Sequence, residues 1–310
     1  MKPAAAPVVI RDFQEGDAEG VSALFSAVYG EHYVYPDVYL PSMIRHHNIE
    51  QLWRTAVATL EGRIVGHAIL WQDPAGPDSA ELAMIVAHPS TRGMGIATRL
   101  GEHLCLYARQ QGLATLTIKM VSSHSQTQRL ARTLGFQTTG LLLDYVASPF
   151  GNDGRESVVI GVMPLQDRPI PQCHTGRETA SWIKPLVERF GSSPLSSGDR
   201  QLDRPMLISA HGKRVDVTLE HASAESVEEI TRLPRNRLIH LRIRFDAALP
   251  PLLAALHRAG YADTGLAPAP DGQWYWLLQR GYAMRDLEFH CPIARALYEG
   301  TQDIAQSSAA

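Results

Sequence analysis

The 310-residue sequence predicts a mixed α/β fold in two parts. Strand and helix signals alternate from Val8 to Leu165, the pattern of a sheet flanked by helices. Proline, serine and glycine then cluster between Gln166 and Pro205, in "QDRPIPQ" and "FGSSPLSSGDRQLDRP", and mark linkers. Beyond them, "ALHRAGYADTGL" (255–266) echoes "LARTLGFQTTGL" (130–141): in both, a helix ends at Gly, an aromatic starts a strand, and T-G-L follows. The expected division is a first unit over 1–165, a linker with one helix over 166–205, and a smaller α/β unit over 206–310 that repeats part of the first.

The elements read in order. "PVVIRDF" is an expected strand, and "GDAEGVSALFSAVYG" an expected helix, with Asp17 as its N-cap and Gly30 as its stop. Residues 31–52 are rich in Tyr and His and show no clear period. "WRTAVATLEGRIVGHAILWQD" is two strands about a Glu61-Gly62 turn, a hairpin. "SAELAMIVAH" is a strand, Arg92 to Gln111 a helix, and "LATLTIKMV" a strand. "SQTQRLARTLG" is a helix ended by Gly135, and "FQTTGLLLDYV" and "ESVVIGVMPL" are strands. The linker helix is expected near Glu178 to Phe190, and another helix at Leu249 to Ala259. "DGQWYWLLQRGY" alternates as a strand half-buried against that second helix, or one that closes a cleft of the first unit.

Composition excludes several classes. A net charge of −3 gives no bulk attraction to nucleic acid or to an anionic membrane. "MKPAAAPVVIRDF" does not read as a secretory leader, and no apolar run approaches the ~20 residues of a bilayer span. Cys105, Cys173 and Cys291 are odd in number, far apart and without C-x-x-C, as expected of a protein in a reducing cytoplasm without disulfides or structural zinc. Cys105 falls mid-helix among apolar residues and reads as structural. His32, His46 and His47 complete no ligand set, so no metal is expected. A homodimer stays open.

The chemistry concentrates in "VAHPSTRGMGIATRL" (86–100). The first N–H groups of a helix lack partners inside it and sit at the positive end of its dipole. A phosphate docks there if no Cβ obstructs it. Gly93 and Gly95 remove that obstruction, Ala97 is small, and Arg92 adds a forked cation suited to phosphate oxygens. From Leu82 to Leu143 six Arg or Lys face one acid, Glu102, which agrees with an anionic ligand. No Lys near Gly95 permits a Walker loop. A dinucleotide fingerprint fails because Thr98 holds its third glycine position and "IKMVSS" supplies no acid. The remaining cradle, R-x-x-G-x-A between strand and helix, is that of acyl-CoA users.

With this motif the sequence resembles the GNAT N-acetyltransferase superfamily, over roughly Val8 to Leu165, and "RLARTLGF" resembles that family's last helix. The whole chain is similar to two-part bacterial acyltransferases with a degenerate second half. The resemblance implies a splayed mixed β-sheet with acyl-CoA between its fourth and fifth strands, and direct attack by an acceptor amine on the thioester. By position, the backbone around Met94, Gly95, Ile96, Ala97 and Thr98 would hold the pyrophosphate, beside Arg92 and Gly93. Ile85, Val86 and Ala87 would hold the pantetheine arm and thioester carbonyl, and Tyr29, Tyr33 and Tyr35 the acceptor side.

An amine at neutral pH carries a proton that must leave before attack. Glu81 is the candidate base: simple alternation puts it on one strand face with Ala83, Ile85 and Ala87, small and apolar, which would raise its pKa. Ala131 occupies the family's usual tyrosine acid position, so His124 is the candidate acid, with Ser123 and Tyr145 as alternatives. The function expected is transfer of an acetyl or other acyl group from CoA to a small-molecule amine. A non-catalytic acyl-CoA sensor or docking module is the alternative, which Ala131 favours.

Overall fold

A computed structural model describes residues 7–74, 76–122, 125–148, 154–172, 181–197, 206–285, 287 and 289–309. The first part of the chain runs β1 (Val9–Asp12), α1 (Ala18–Tyr29), α2 (Pro41–Ile49), β2 (Trp53–Leu60), β3 (Arg63–Gln72), β4 (Ser79–Ala87), α3 (Ile96–Gln110), β5 (Thr115–Val121), α4 (Gln126–Leu134), β6 (Gln137–Ala147) and β7 (Arg155–Pro164). A connecting stretch holds β8 (Ile170–Pro171), α5 (Ile183–Phe190) and β9 (Ser192–Ser193). The last part runs β10 (Met206–His211), β11 (Arg214–Leu219), α6 (Ala224–Thr231), β12 (Leu238–Arg244), α7 (Pro250–Arg258), β13 (Ala262–Pro268), β14 (Trp274–Arg280) and α8 (Pro292–Ala309).

Twelve strands form one sheet, in the order β1-β2-β3-β4-β5-β7-β6-β13-β14-β12-β11-β10. The two parts share a topology. β3-β4-β5-β7-β6 and β10-β11-β12-β14-β13 have the same order and the same senses of pairing, antiparallel except for β4–β5 and β11–β12. α3 and α6 make the parallel crossovers, and α4 and α7 follow the fifth and twelfth strands. The parts differ at the crossover. β11 and β12 pair along their whole length, from Arg214–Leu238 to Leu219–Ile243, whereas β4 and β5 pair only from Ser79–Thr115 to Leu82–Ile118 and then separate.

The T-G-L echo seen in the sequence is the seam itself. β6 meets β13 at the single pair Gly140–Gly265. Thr139 donates its hydroxyl to the Leu266 carbonyl at 2.9 Å. The Gln279 side chain replaces missing ladder bonds, accepting from the Leu143 amide at 2.7 Å and donating to its carbonyl at 3.0 Å. Arg168 is buried across the same seam, donating to Thr115 and to the carbonyls of Ala269 and Gln273. α8 packs over both β6 and β13.

Several elements differ from the sequence expectation. α3 begins at Ile96, not Arg92, because Gly93 and Gly95 take positive φ and hold the chain in a turn. Residues 31–52 contain α2, started by Pro41 at its first position. Asp17 ends a 3-10 turn before α1, but its carboxylate accepts from Gln14 and pairs with Arg11 rather than capping α1. β14 is buried on both faces, not half-buried: Trp276 packs edge-on against Trp182 and Phe245, and Trp274 against Phe190 of α5.

Gly265 sits at φ +109°, and a Cβ there would lie 2.2 Å from the Thr139 carbonyl oxygen. Both strands are backbone at this point and neither yields without breaking the seam. Gly265→Ala is expected to lower unfolding stability by about 2–4 kcal/mol. Gly16→Ala, with nothing within 4 Å, should stay within about 0.5 kcal/mol. Equal urea midpoints for the two variants would contradict this account of the seam.

Candidate functional site

The separation of β4 from β5 begins at a bulge. Met84 takes φ +52°, and the β3–β4 register slips between His67 and Ile69. His67 is fully buried and contacts Phe25 edge-on. Its Nδ1 lies 3.1 Å from the Met84 carbonyl, which can only accept, so Nδ1 carries the proton. Burial pushes this imidazole down to about 4, and the ring is neutral at pH 7. One neutral histidine thus holds the strained carbonyl.

The bulge also changes which residues share a face. Ala80 and Leu82 pack in the core under α3, as alternation expects. After Met84 the parity flips: Met84 and Val86 enter the core under α1, while Ile85 and Ala87 pack toward the α3 side. The expected face of Glu81 with Ala83, Ile85 and Ala87 is therefore wrong beyond Ala83. The extra residue is the physical reason.

Past Ala87 the chain turns through His88–Thr91. The Thr91 hydroxyl donates to the His88 carbonyl at 2.7 Å, and the Met94 amide donates to Thr91 at 3.2 Å. Gly93 and Gly95 follow at φ +83° and +66°, and a Cβ on either would meet no atom within 4 Å. Gly95 is the N-cap of α3 and offers no side-chain acceptor, so the amides of Ile96, Ala97 and Thr98 open outward at the helix mouth. Arg92 and Met94 are exposed beside them. The corresponding mouth of α6 is closed, since the Ser223 hydroxyl accepts from the Ser226 amide at 3.1 Å. The residues of the α3 mouth fit a diphosphate; those of the α6 mouth do not.

On the α1 side of the sheet lies a cleft of about 400 Å³, whose walls include Tyr35, Trp71, Asp73, Glu81, Thr117 and Lys119. Glu81 pairs in register with Trp71 on one side and Thr117 on the other, so all three point into it. Lys119, two residues beyond Thr117, joins the same face and donates to Glu81 at 2.5 Å. Burial would lower the Lys119 ammonium, but Glu81, with Tyr145 and Tyr35, holds it above the ordinary lysine range. Tyr35 contacts Trp71 edge-on at 5.2 Å. Tyr29 and Tyr33 lie behind it, packed against the core under α1: Tyr29 stacks on Phe25, Tyr33 meets the same ring edge-on, and burial raises both hydroxyls.

His124 and Ser123 fall outside the described residues. Tyr145 is described. Its ring stacks on His240 at 5.5 Å, the Arg214 guanidinium lies 4.8 Å from it, and Lys119 lies 5.7 Å from it. Ala131 is buried in α4. His47 pairs with Asp37 at 2.8 Å, and among the described residues no group of three or more His, Cys, Asp or Glu is set to hold a metal. Cys105 is buried in α3, and burial pushes its thiol up to about 11. The sequence gives His67 and Trp71 no role and counts Lys119 only as one of the six cations between Leu82 and Leu143. Only the alternation of β3 and β5 could have flagged the last two, by placing them beside Glu81.

Residues 21–136 match the profile of the Acetyltransferase (GNAT) family. No curated protein matches the chain. Similar solved structures include the ribosomal-protein-S18-alanine N-acetyltransferase from Escherichia coli, 21% identical, covering 52% of this chain and 95% of that one, with TM-score 0.43. An N-acetyltransferase from Staphylococcus aureus is 18% identical, covering 52% and 100%, with TM-score 0.46. The putative acetyltransferase yncA from Salmonella typhimurium, solved with its cofactor acetyl-CoA, is 18% identical, covering 54% and 98%, with TM-score 0.45.

Two buried histidines contribute to the acid response of the fold. Burial lowers His67 to about 4, and burial together with Arg214 lowers His240 to about 3. Unfolded, each takes a proton near ~6.5. Between those values the unfolded chain binds more protons, so their contribution is complete above pH ~6.5 and declines as pH falls toward 4. The urea midpoint is expected to fall from pH 7 to pH 4.5. His67→Asn keeps an N–H donor where Nδ1 stands but does not titrate, and should flatten that decline by about 1.4 kcal/mol per pH unit. An unchanged slope would sink the assignment.

Proposed function

We propose, on the premise that residues 21–136 place the N-terminal half of this chain in the GNAT acetyltransferase family, that the protein transfers an acetyl group from acetyl-CoA to the amine of a small molecule. That family uses acetyl-CoA. The observation that carries the reading is the bare helix mouth at Gly95–Thr98, standing beside the parallel strand pair β4–β5, which parts where β11–β12 stays paired. Arg92, Gly93 and the amides from Gly95 to Thr98 would bind the diphosphate, the expected Met94 amide being already given to the Thr91 carbonyl, and Ile85, Val86 and Ala87 would line the arm that reaches the opening. Residues 1–165 would be the catalytic unit. Residues 206–310, with the same strand order but a capped α6 and a closed β11–β12 pair, would be its degenerate partner.

The acceptor would enter the cleft between Tyr35 and Glu81. Glu81 takes the proton of the ammonium. The freed amine nitrogen attacks the thioester carbonyl carbon and the C–N bond forms, the nitrogen releases its second proton to solvent, and the C–S bond breaks with its electron pair on sulfur. The thiolate leaves and gains a proton from His124 or from solvent.

Glu81→Gln keeps the side-chain shape and removes the base. It is expected to lower the rate of CoA-thiol release by at least ~100-fold while leaving the acetyl-CoA Kd within about twofold. A wild-type protein that binds acetyl-CoA yet raises thiol release with no amine is the non-catalytic sensor instead. Arg92→Ala should raise the acetyl-CoA Kd by about 10–100-fold, read by calorimetry, with the urea midpoint unchanged because the side chain is exposed.

A further inference from the structure

The ion pair in the cleft wall points to the class of acceptor. This inference rests on the cleft being the acceptor site. Glu81 and Lys119 keep 25% and 33% of their side-chain surface open, and they meet at 2.5 Å. A lysine ammonium has three N–H donors, of which Glu81 takes one; a carboxylate has two oxygens, of which Lys119 uses Oε2. Each partner therefore has capacity for a second, opposite charge while the pair stays intact. We propose that the acceptor is a free α-amino acid, its amine against Glu81 and its carboxylate against Lys119.

Three features narrow the class. First, the spacing: in an α-amino acid the nitrogen and the nearer carboxylate oxygen are about 3 Å apart, across one carbon. That matches neighbouring charges in contact, and a longer zwitterion would have to fold back on itself. Second, the sign: at the position next to the amine a second ammonium would meet Lys119 and be repelled, whereas a carboxylate there is attracted. Third, the neighbour of the amine: a peptide N-terminus presents an amide where Lys119 awaits an anion. Beyond the pair, Tyr35, Trp71 and Leu52 offer an aromatic and apolar wall, suited to an apolar or aromatic side chain.

The test is calorimetry on the full chain saturated with CoA, so that no turnover intervenes. The probes are phenylalanine and leucine, their amides, and the corresponding decarboxylated amines. At least one of the two amino acids should bind at least tenfold tighter than its amide and its amine. Lys119→Met should erase that preference by weakening the amino acid alone, and Lys119→Arg should restore most of it. Equal binding of acid, amide and amine to the wild type, no binding of either amino acid, or a preference that survives in Lys119→Met would each overturn the proposal. Thiol release from acetyl-CoA is followed in parallel. Discrimination in binding without release with any acceptor would remove the acetyltransferase reading and leave the amino-acid site standing.

Discussion

The parting of β4 from β5 after Leu82 is the constraint on which the rest depends. Parallel strands of one sheet stay paired unless something turns one of them. Here an extra residue in β4 does so: Met84 at positive φ bends the strand, and the buried N–H of His67 holds its carbonyl. Such a conformation costs on the order of 1–3 kcal/mol for a residue with a side chain, so it persists only where its surroundings fix it. The consequence is an opening in the sheet that leads directly to an uncapped helix mouth. The second half makes the comparison within one molecule. Its parallel pair has no bulge and stays closed, and a serine caps its helix. One strand order thus supports an open site and a closed one, and the difference lies in a few residues.

The legible part of this structure was the part whose chemistry is local. Two glycines beside an arginine at a strand–helix junction announce exposed amides, because no other role explains so little side chain there. The Glu61-Gly62 hairpin and the helix stop at Gly135 were legible for the same reason: both need positive φ, and both have it. The bulge was hidden because methionine carries no signal for positive φ. From there the error spread, since a single inserted residue reverses the faces of everything after it. Lys119 read as one cation among several, because its partner Glu81 stands 38 residues away and meets it only through strand pairing.

The seam shows another limit of sequence reading. The T-G-L echo could be seen, and its meaning as a repeat of local structure followed. That the two copies would pair with each other did not. Two strand edges can approach this closely only where one carries no Cβ, and Gly265 supplies that at the crossing. With a single backbone pair, the ladder is too short to hold two sheets in register. Side chains take over the work: the Gln279 amide stands in for a strand's N–H and C=O, and Arg168 ties β5 to the turn before β14.

The seam matters near the cleft because the second half reaches Tyr145, which lies against a residue of the cleft wall. Arg214 donates to the Tyr145 carbonyl at 2.8 Å and covers its ring, and His240 stacks on the same ring. Tyr145 in turn lies against Lys119. A chain of contacts therefore runs from β11 and β12 to the ion pair in the cleft wall. Arg214 is itself held by Asp216 at 3.0 Å, which fixes the guanidinium over the ring. Without the second half, β6 would be an open strand edge and Tyr145 would lose the two groups that fix its ring. The second half closes the sheet edge and sets the orientation of one aromatic ring beside Lys119.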